Sequence, residues 1–201
     1  MNRPKQKIAG VILAAGTASR MKSIKQLLPF GKTTLLGRVI SNARKSALDE
    51  IVVVLGHRAD KIQQAMDFSG TKIIINHDYP KGQGSSLGAG LEQVSEDCGA
   101  VLFLLGDQPL VSPLLINQLV TAFENSHAPI VIPYCNGKRG NPVIIARALF
   151  PQLKSLSDDA GARVLFHRYK SSILKVEVAD EAVLVDVDTK EDYERLMARK
   201  A

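Results

Sequence analysis

Four short apolar runs, Ile8–Leu13, Ile51–Leu55, Lys72–Ile75 and Val101–Leu105, pace the first half of the chain. Each is rich in Val, Ile or Leu and lacks the polar alternation of a half-exposed strand. That is the pattern of strands covered on both faces. Segments with helical spacing lie between them. Thr34–Ala47 puts Leu35, Leu36, Val39, Ile40 and Ala43 on one stripe. Ala59–Met66, Ser86–Val94 and Pro113–Glu124 follow the second, third and fourth runs. Parallel strands need crossovers of helix length, so this alternation predicts a three-layer α/β fold with a doubly wound, mostly parallel, Rossmann-like sheet.

The second half is less regular. Ile130–Pro133 and Val143–Ile145 read as strands around the polar loop Cys135–Asn141, and Ala146–Leu149 and Ala160–Tyr169 as helices. Ile173–Val178 and Val183–Val187 read as two further strands. Thr189–Arg199 reads as a closing helix, with Thr189 as N-cap and Asp192 three positions on, close to a capping box. At 201 residues, with no repeat or linker, residues 1–201 are expected to form one domain.

Charge and cysteine usage bound the function. The net charge is +6 and aromatic residues make up 5%. No basic run is interleaved with aromatics, so a nucleic-acid partner is not expected. Cys98 and Cys135 are far apart, without metal-binding spacing, and are expected as free thiols. Ile8–Ala15 is too short to span a membrane, which leads to a cytoplasmic expectation.

The strand Ile8–Leu13 runs directly into Ala14-Ala15-Gly16-Thr17-Ala18-Ser19-Arg20-Met21, and then Lys25. In a doubly wound sheet, ligands bind beyond the carboxyl ends of strands. Small residues there let backbone N–H groups approach a phosphate. Arg20 and Lys25 then neutralise its oxygens, one as a fork and one as a point charge. Neither a Walker loop nor a G-x-G-x-x-G dinucleotide loop is present. Asp107 follows the strand Val101–Leu105 and faces the same crevice. Alone it would pass for a turn residue before Gln108-Pro109; beside a phosphate loop it is expected to bind Mg2+, which takes one or two carboxylates together with phosphates and water. Asp186 and Asp188 are candidates for the second ligand.

These segments resemble the nucleotidyltransferases of the molybdenum-cofactor group, and within that group its cytidylyltransferases. The resemblance rests on Leu13-Ala14-Ala15-Gly16 with Arg20-Met21 and Lys25, on Gly82-Gln83-Gly84-Ser85-Ser86-Leu87, on Gly106-Asp107-Gln108-Pro109-Leu110, on Gly140-Asn141-Pro142-Val143 and on Asp186–Asp192. Ala18 and Lys22 depart from the family pattern, which usually has Ser and Gly there. The resemblance implies a nucleotide held by Leu13, Ala14, Ala15, Gly16, Gly82, Ser85 and Ser86, catalytic roles for Arg20, Lys25 and Asp107, and a metal on Asp107 with Asp186 or Asp188. It further implies an acceptor side at Gly140 and Asn141, with Mg2+ as cofactor. CTP and molybdopterin cofactor would be the substrates, and a recipient molybdoenzyme or its chaperone the further partner. Guanylyl-transferring relatives carry Gly-Gly where this chain has Ala15-Gly16, so the Ala15 methyl would crowd a purine. Lys138 and Arg139 read equally as a solvated loop or as contacts for an anionic acceptor.

Overall fold

A computed structural model describes residues 6–17, 21, 23–126, 128–154 and 162–199. Ala18, Ser19, Arg20, Lys22 and the segment 155–161 lie outside the described residues.

Along the chain the strands are β1 (Lys7–Ala14), β2 (Pro29–Phe30), β3 (Thr33–Thr34), β4 (Glu50–Leu55), β5 (Lys72–Ile75), β6 (Cys98–Leu105), β7 (Ile130–Cys135), β8 (Lys138–Arg139), β9 (Val143–Ala146) and β10 (Ile173–Glu177). The α-helices are α1 (Leu35–Arg44), α2 (Ala59–Ala65), α3 (Gln83–Glu92), α4 (Pro113–Glu124), α5 (Phe150–Lys154), α6 (Arg163–Arg168) and α7 (Lys190–Ala198). The main sheet runs β10-β7-β9-β6-β1-β4-β5, with β8 paired to β7. β6, β1, β4 and β5 are parallel to one another; β9 is antiparallel to β6 and to β7, and β10 is parallel to β7. The fold is therefore the expected α/β arrangement, with β8 and β9 reversed in a mostly parallel sheet.

The burial pattern explains the layers. Alternate residues of β1 serve opposite faces. Ile8, Ile12 and Ala14 pack with Leu36, Val39 and Ile40 of α1 and with Leu115, Ile116 and Leu119 of α4. Ala9 and Val11 pack on the other face with Leu87 and Leu91 of α3 and with Leu149, Phe150 and Leu153 around α5. A central strand with both faces covered must be apolar throughout, which is why β1 and β4 read as continuous hydrophobic runs. A third cluster, Phe30, Leu35, Val187 and Leu196, fastens α7 over the β2–β3 hairpin. Among the described residues no helix is long and apolar enough to cross a membrane, and Cys98 and Cys135 are free and buried.

Two expectations need correction. Val183–Val187 is not a strand: Glu181–Leu184 forms a 3-10 turn opened by Asp180, whose side chain accepts from Ala182 N–H, and the chain then extends without a strand partner. Its apolar residues are buried against Gly140 and α7's cluster rather than in a sheet ladder. The segment read as a helix at Ala146–Leu149 begins as a 3-10 turn, Arg147–Leu149, and continues into α5; Pro151 is tolerated because it sits in the first turn. The capping box of α7 is present, with Thr189 and Asp192 exchanging side-chain and backbone bonds.

Candidate active site

The carboxyl ends of β1 and β6 and the loops after β5 and before α7 surround one open cleft of about 550 Å³, within the range of small-ligand sites. Its wall on the β1 side is Leu13, Ala14, Ala15, Gly16 and Thr17, with Lys25 and Gln26 beneath them. Leu105, Gly106 and Asp107 continue the floor, Tyr79, Pro80, Gly82, Gln83 and Ser86 form the opposite wall, and Asp186 and Asp188 close one end. The structure thus gathers Leu13–Gly16, Lys25, Gly82, Ser86, Asp107, Asp186 and Asp188 at one place. Arg20 lies outside the described residues.

The charged end is built from three segments distant in sequence. Lys25 Nζ lies 2.7 Å from Asp107 Oδ2 and 2.9 Å from Asp188 Oδ1. Burial opposes the ammonium charge, but Asp107 and Asp188 outweigh it and the Lys25 pKa is raised. Among the described residues, Asp107 Oδ1 is buried and accepts no hydrogen bond. Asp186 has its carboxyl pKa raised, first by burial and then by the charges of Asp107 and Asp188. Carboxylates crowded in this way, with a buried oxygen left unpaired, form a donor set that favours an added cation. Among the described residues no three His, Cys, Asp or Glu side chains form a ready-made metal cage. That fits a cation which completes its shell with phosphate oxygens and water. The α7 capping box orients this end, since Asp192 Oδ2 also accepts from the Asp188 N–H at 3.2 Å.

Sequence reasoning missed how the β1 loop is held. Gln26 is buried, and its amide donates to the carbonyl oxygens of Ala14 at 2.9 Å and Gly16 at 3.4 Å. Ala15 O accepts from His57 N–H at 3.1 Å. With carbonyls engaged on the protein side, the loop is fixed as one wall of the cleft. The only signal in the sequence was a polar Gln between Lys25 and Leu27.

The opposite wall is held by Asn76. This buried amide donates to Ser85 Oγ at 2.9 Å and Ser86 Oγ at 3.0 Å, and Asp78 N–H donates back to its Oδ1 at 2.9 Å. Ser85 Oγ also lies within hydrogen-bond reach of the Asp78 and Gly82 carbonyls. Ser85 therefore locks the loop and does not line the cleft, whereas Ser86 does. Gly82 adopts φ 106° and ψ 179°, open in practice to glycine alone, and delivers the chain into α3 with the helix N-terminus at the cleft. Such a terminus favours a negatively charged ligand.

Gly140 and Asn141 are not brought into the cleft. A Cβ on Gly140 would stand 2.5 Å from Val183 Cβ, and Asn141 N–H donates to Val183 O at 2.9 Å. They seat the segment that carries Asp186 and Asp188.

A parallel sheet with a small-residue loop after its first strand, and a lysine–aspartate cluster across the crevice, defines the nucleotidyltransferase class. The chain belongs to the MobA-like NTP transferase domain family, whose model matches residues 10–173. It is 31% identical to the nicotine blue oxidoreductase of Paenarthrobacter nicotinovorans, over 94% of this chain and 96% of that one. It is also 31% identical to the purine catabolism protein PucB of Bacillus subtilis, over 96% and 97%. The crystal structure of Rv0371c from Mycobacterium tuberculosis superimposes with a TM-score of 0.89 at 32% identity, covering 98% of this chain and 100% of that one. The same protein has been crystallised in complex with manganese.

Proposed function

We propose that residues 1–201 form a single nucleotidyltransferase domain that transfers CMP from CTP to the terminal phosphate of molybdopterin carrying molybdenum. The products are the cytosine dinucleotide cofactor and pyrophosphate. The observation that carries the transferase reading is the Lys25–Asp107–Asp188 cluster at the end of a cleft walled by Ala14–Gly16. Asp107, with Asp186 or Asp188, would hold Mg2+ or a similar divalent cation; when bound, it offsets the charge of the triphosphate.

The chain's own residues supply positioning and charge. The Leu13–Gly16 wall and the α3 N-terminus present backbone N–H groups to the nucleotide. Lys25, raised in pKa and therefore protonated at neutral pH, is placed to meet the phosphates, and Arg20 is assigned the same task on the family resemblance alone. The acceptor phosphate is already ionised at neutral pH, so no general base is required. Its oxygen forms a new bond to the α-phosphorus, the bond between that phosphorus and the α–β bridging oxygen breaks, and the electron pair leaves with pyrophosphate. Alignment of the two phosphates accounts for much of such a rate.

Cytosine is favoured by Ala15. The preference is inferred from the Gly-Gly of guanylyl-transferring relatives, a difference of one methyl; that methyl is itself buried beside Gly56, where a Cβ would stand 2.8 Å from it. A pocket discriminates on this scale by about 1–3 kcal/mol.

The test is pyrophosphate release from CTP, GTP, UTP and ATP by the purified chain with molybdopterin cofactor and Mg2+ or Mn2+. Release is expected with CTP and only with acceptor present. Equal use of GTP or UTP would overturn the base assignment. Turnover with a sugar 1-phosphate in place of the molybdopterin cofactor would overturn the acceptor. Tight nucleotide binding without release would make the chain a delivery protein. Reductive turnover of a heterocyclic dye, as the name of the Paenarthrobacter relative suggests for that protein, would overturn the transferase reading.

A further inference from the structure

The two ends of the cleft differ in kind. Asp107 follows β6 and Gly56 follows β4, and these strands flank β1 on opposite sides. Their ends are therefore two strand spacings apart, about 10 Å, with the Ala14–Gly16 wall between them. Lys25 and the three carboxylates lie on the β6 side. Among the described lining residues, the β4 side carries no charge. A triphosphate belongs with the lysine and the metal ligands, so the base of the nucleotide falls on the β4 side.

That side is closed by Tyr79, the one aromatic ring among the described lining residues. A Cβ on Gly56 would stand 2.8 Å from Ala15 Cβ and 2.9 Å from Tyr79 Cβ, so the tyrosine meets the Ala15 wall over a glycine with no room for a side chain. The half-buried ring stands edge-on to His57, with centroids 5.9 Å apart, and its hydroxyl oxygen lies 3.4 Å from His57 Nδ1. His57 is held twice more. Its backbone N–H donates to Ala15 O at 3.1 Å, and Arg58 Nε donates to its Nε2 at 3.3 Å. Arg58 has φ 54° and ψ 35°, a left-handed conformation that strains a residue with a side chain. This tight turn sets the guanidinium against its own neighbour.

These contacts fix where the hydrogens are. A guanidinium N–H can only donate, so His57 Nε2 accepts and the ring hydrogen sits on Nδ1. Nδ1–H then donates to the Tyr79 oxygen. A phenol keeps its own hydrogen in the ring plane, and His57 takes one of the two in-plane sides. The Tyr79 O–H is left to point the other way, as a donor. Among the described residues the hydroxyl has no second hydrogen-bond partner.

The single methyl at Ala15 bears on purine against pyrimidine and is blind to the difference between the two pyrimidines. That difference is polar: cytosine presents an acceptor at N3, and uracil a donor N–H at the same place. We propose that Tyr79 selects cytosine over uracil by donating its hydroxyl hydrogen to N3 of the base, with His57 and Arg58 as positioning residues that hold the hydroxyl in that role. The inference rests on the cytidylyl-transfer reading and deepens it. Uracil would set its N3–H against the O–H, and two donors facing each other without an acceptor are what make such a site discriminate.

Calorimetric titration of the intact chain in Mg2+, without acceptor, tests this with four probes. They are CTP, UTP, tripolyphosphate, and 3-deazacytidine triphosphate, in which N3 is replaced by a C–H group. The unmodified chain is expected to bind CTP about tenfold more tightly than UTP or the 3-deaza analogue. Tyr79→Phe keeps the ring and should bring the three nucleotides within about twofold of one another, with tripolyphosphate affinity unaltered. His57→Phe keeps a ring and the backbone N–H to Ala15 but frees the hydroxyl to turn, so UTP should gain affinity and the preference should narrow. Equal binding of CTP and either nucleotide analogue by the unmodified chain overturns the inference, as does a Tyr79→Phe chain that still prefers CTP. A parallel loss of tripolyphosphate binding marks a structural role for Tyr79 and overturns it too. Pyrophosphate release confined to CTP, beside equal binding of the 3-deaza analogue, removes Tyr79 and leaves the cytidylyl reading standing. The titration contains no transfer step, so failure to release pyrophosphate would sink the transferase reading separately.

Discussion

Lys25 and Asp107, 82 positions apart in sequence, meet at 2.7 Å, and the second oxygen of that carboxylate is buried with no partner among the described residues. The pair spans the crevice between the loop after β1 and the end of β6. Removing the ammonium leaves Asp107, Asp186 and Asp188 unneutralised and deprives the triphosphate of a cation. Lys25→Ala and Asp107→Ala should each lower kcat/KM for CTP by about 10²–10³, the usual cost of losing a charged transition-state partner. Pyrophosphate release, with circular dichroism as a control for folding, checks this; retained activity in either variant would remove that residue from the machinery.

Gln26 is expected to act through the loop it holds. Its substitution by Leu keeps the volume but frees the carbonyls of Ala14 and Gly16. Leaving a buried acceptor unpaired costs about 1–3 kcal/mol, and part of that cost appears as disorder of the nucleotide wall. KM for CTP should rise roughly tenfold by that measure. A variant with unchanged KM but a lower melting temperature would show that the contact serves stability alone.

Much of this site was legible in the sequence. Strand ends can be placed by apolar runs, and a strand end in a parallel sheet is where ligands bind, so Lys25 and Asp107 could be brought together without coordinates. Asp186 and Asp188 reach the cleft, but not on the strand that Val183, Val185 and Val187 suggested. Alternating apolar residues show that one side of a segment is buried. They do not show whether its backbone has a strand to pair with, and here it has none. Gly140 and Asn141 resembled a ligand loop, yet their contacts are to Val183; the sequence carries no record of which surface a glycine approaches. Gln26 and Asn76 were passed over because a buried amide is recognised by the carbonyls and hydroxyls around it.

Gly140→Ala tests that support directly. The new methyl would sit 2.5 Å from Val183 Cβ and 2.7 Å from its carbonyl oxygen, so the segment must move. Overpacking of this kind costs about 1–3 kcal/mol. Because Asp186 and Asp188 follow on the same segment, the Mn2+ affinity of the variant should fall, as read by electron paramagnetic resonance. Val183→Gly in the same chain removes the Cβ that the new methyl meets and should restore part of the metal affinity. Unchanged stability and metal affinity in Gly140→Ala would show that the close approach is not required.

Glu50 makes a prediction about pH. At the far end of the sheet its carboxylate accepts from Lys72 Nζ at 2.8 Å and from Ser95 N–H and Oγ, each at 2.7 Å, and Cys98 Sγ lies at 3.4 Å. Burial raises its pKa, but the hydrogen bonds from Lys72, Ser95 and Cys98 prevail and hold it at about 2, against 4.5 for the free side chain. The folded value lies below the unfolded one, so the charged form stabilises the fold above about pH 4.5, and that contribution is lost as pH falls toward 2. Solvent screening around the half-exposed Lys72 keeps the contribution to about 1–2 kcal/mol. Burial together with Glu50 drives the Cys98 thiol up to about 12, so Cys98 stays neutral and takes no part in the titration. Urea unfolding at pH 7 and pH 3 should show a smaller drop in stability for Glu50→Gln than for the unmodified chain, with the two curves converging at low pH. Parallel curves over that range would show that the acid sensitivity arises elsewhere.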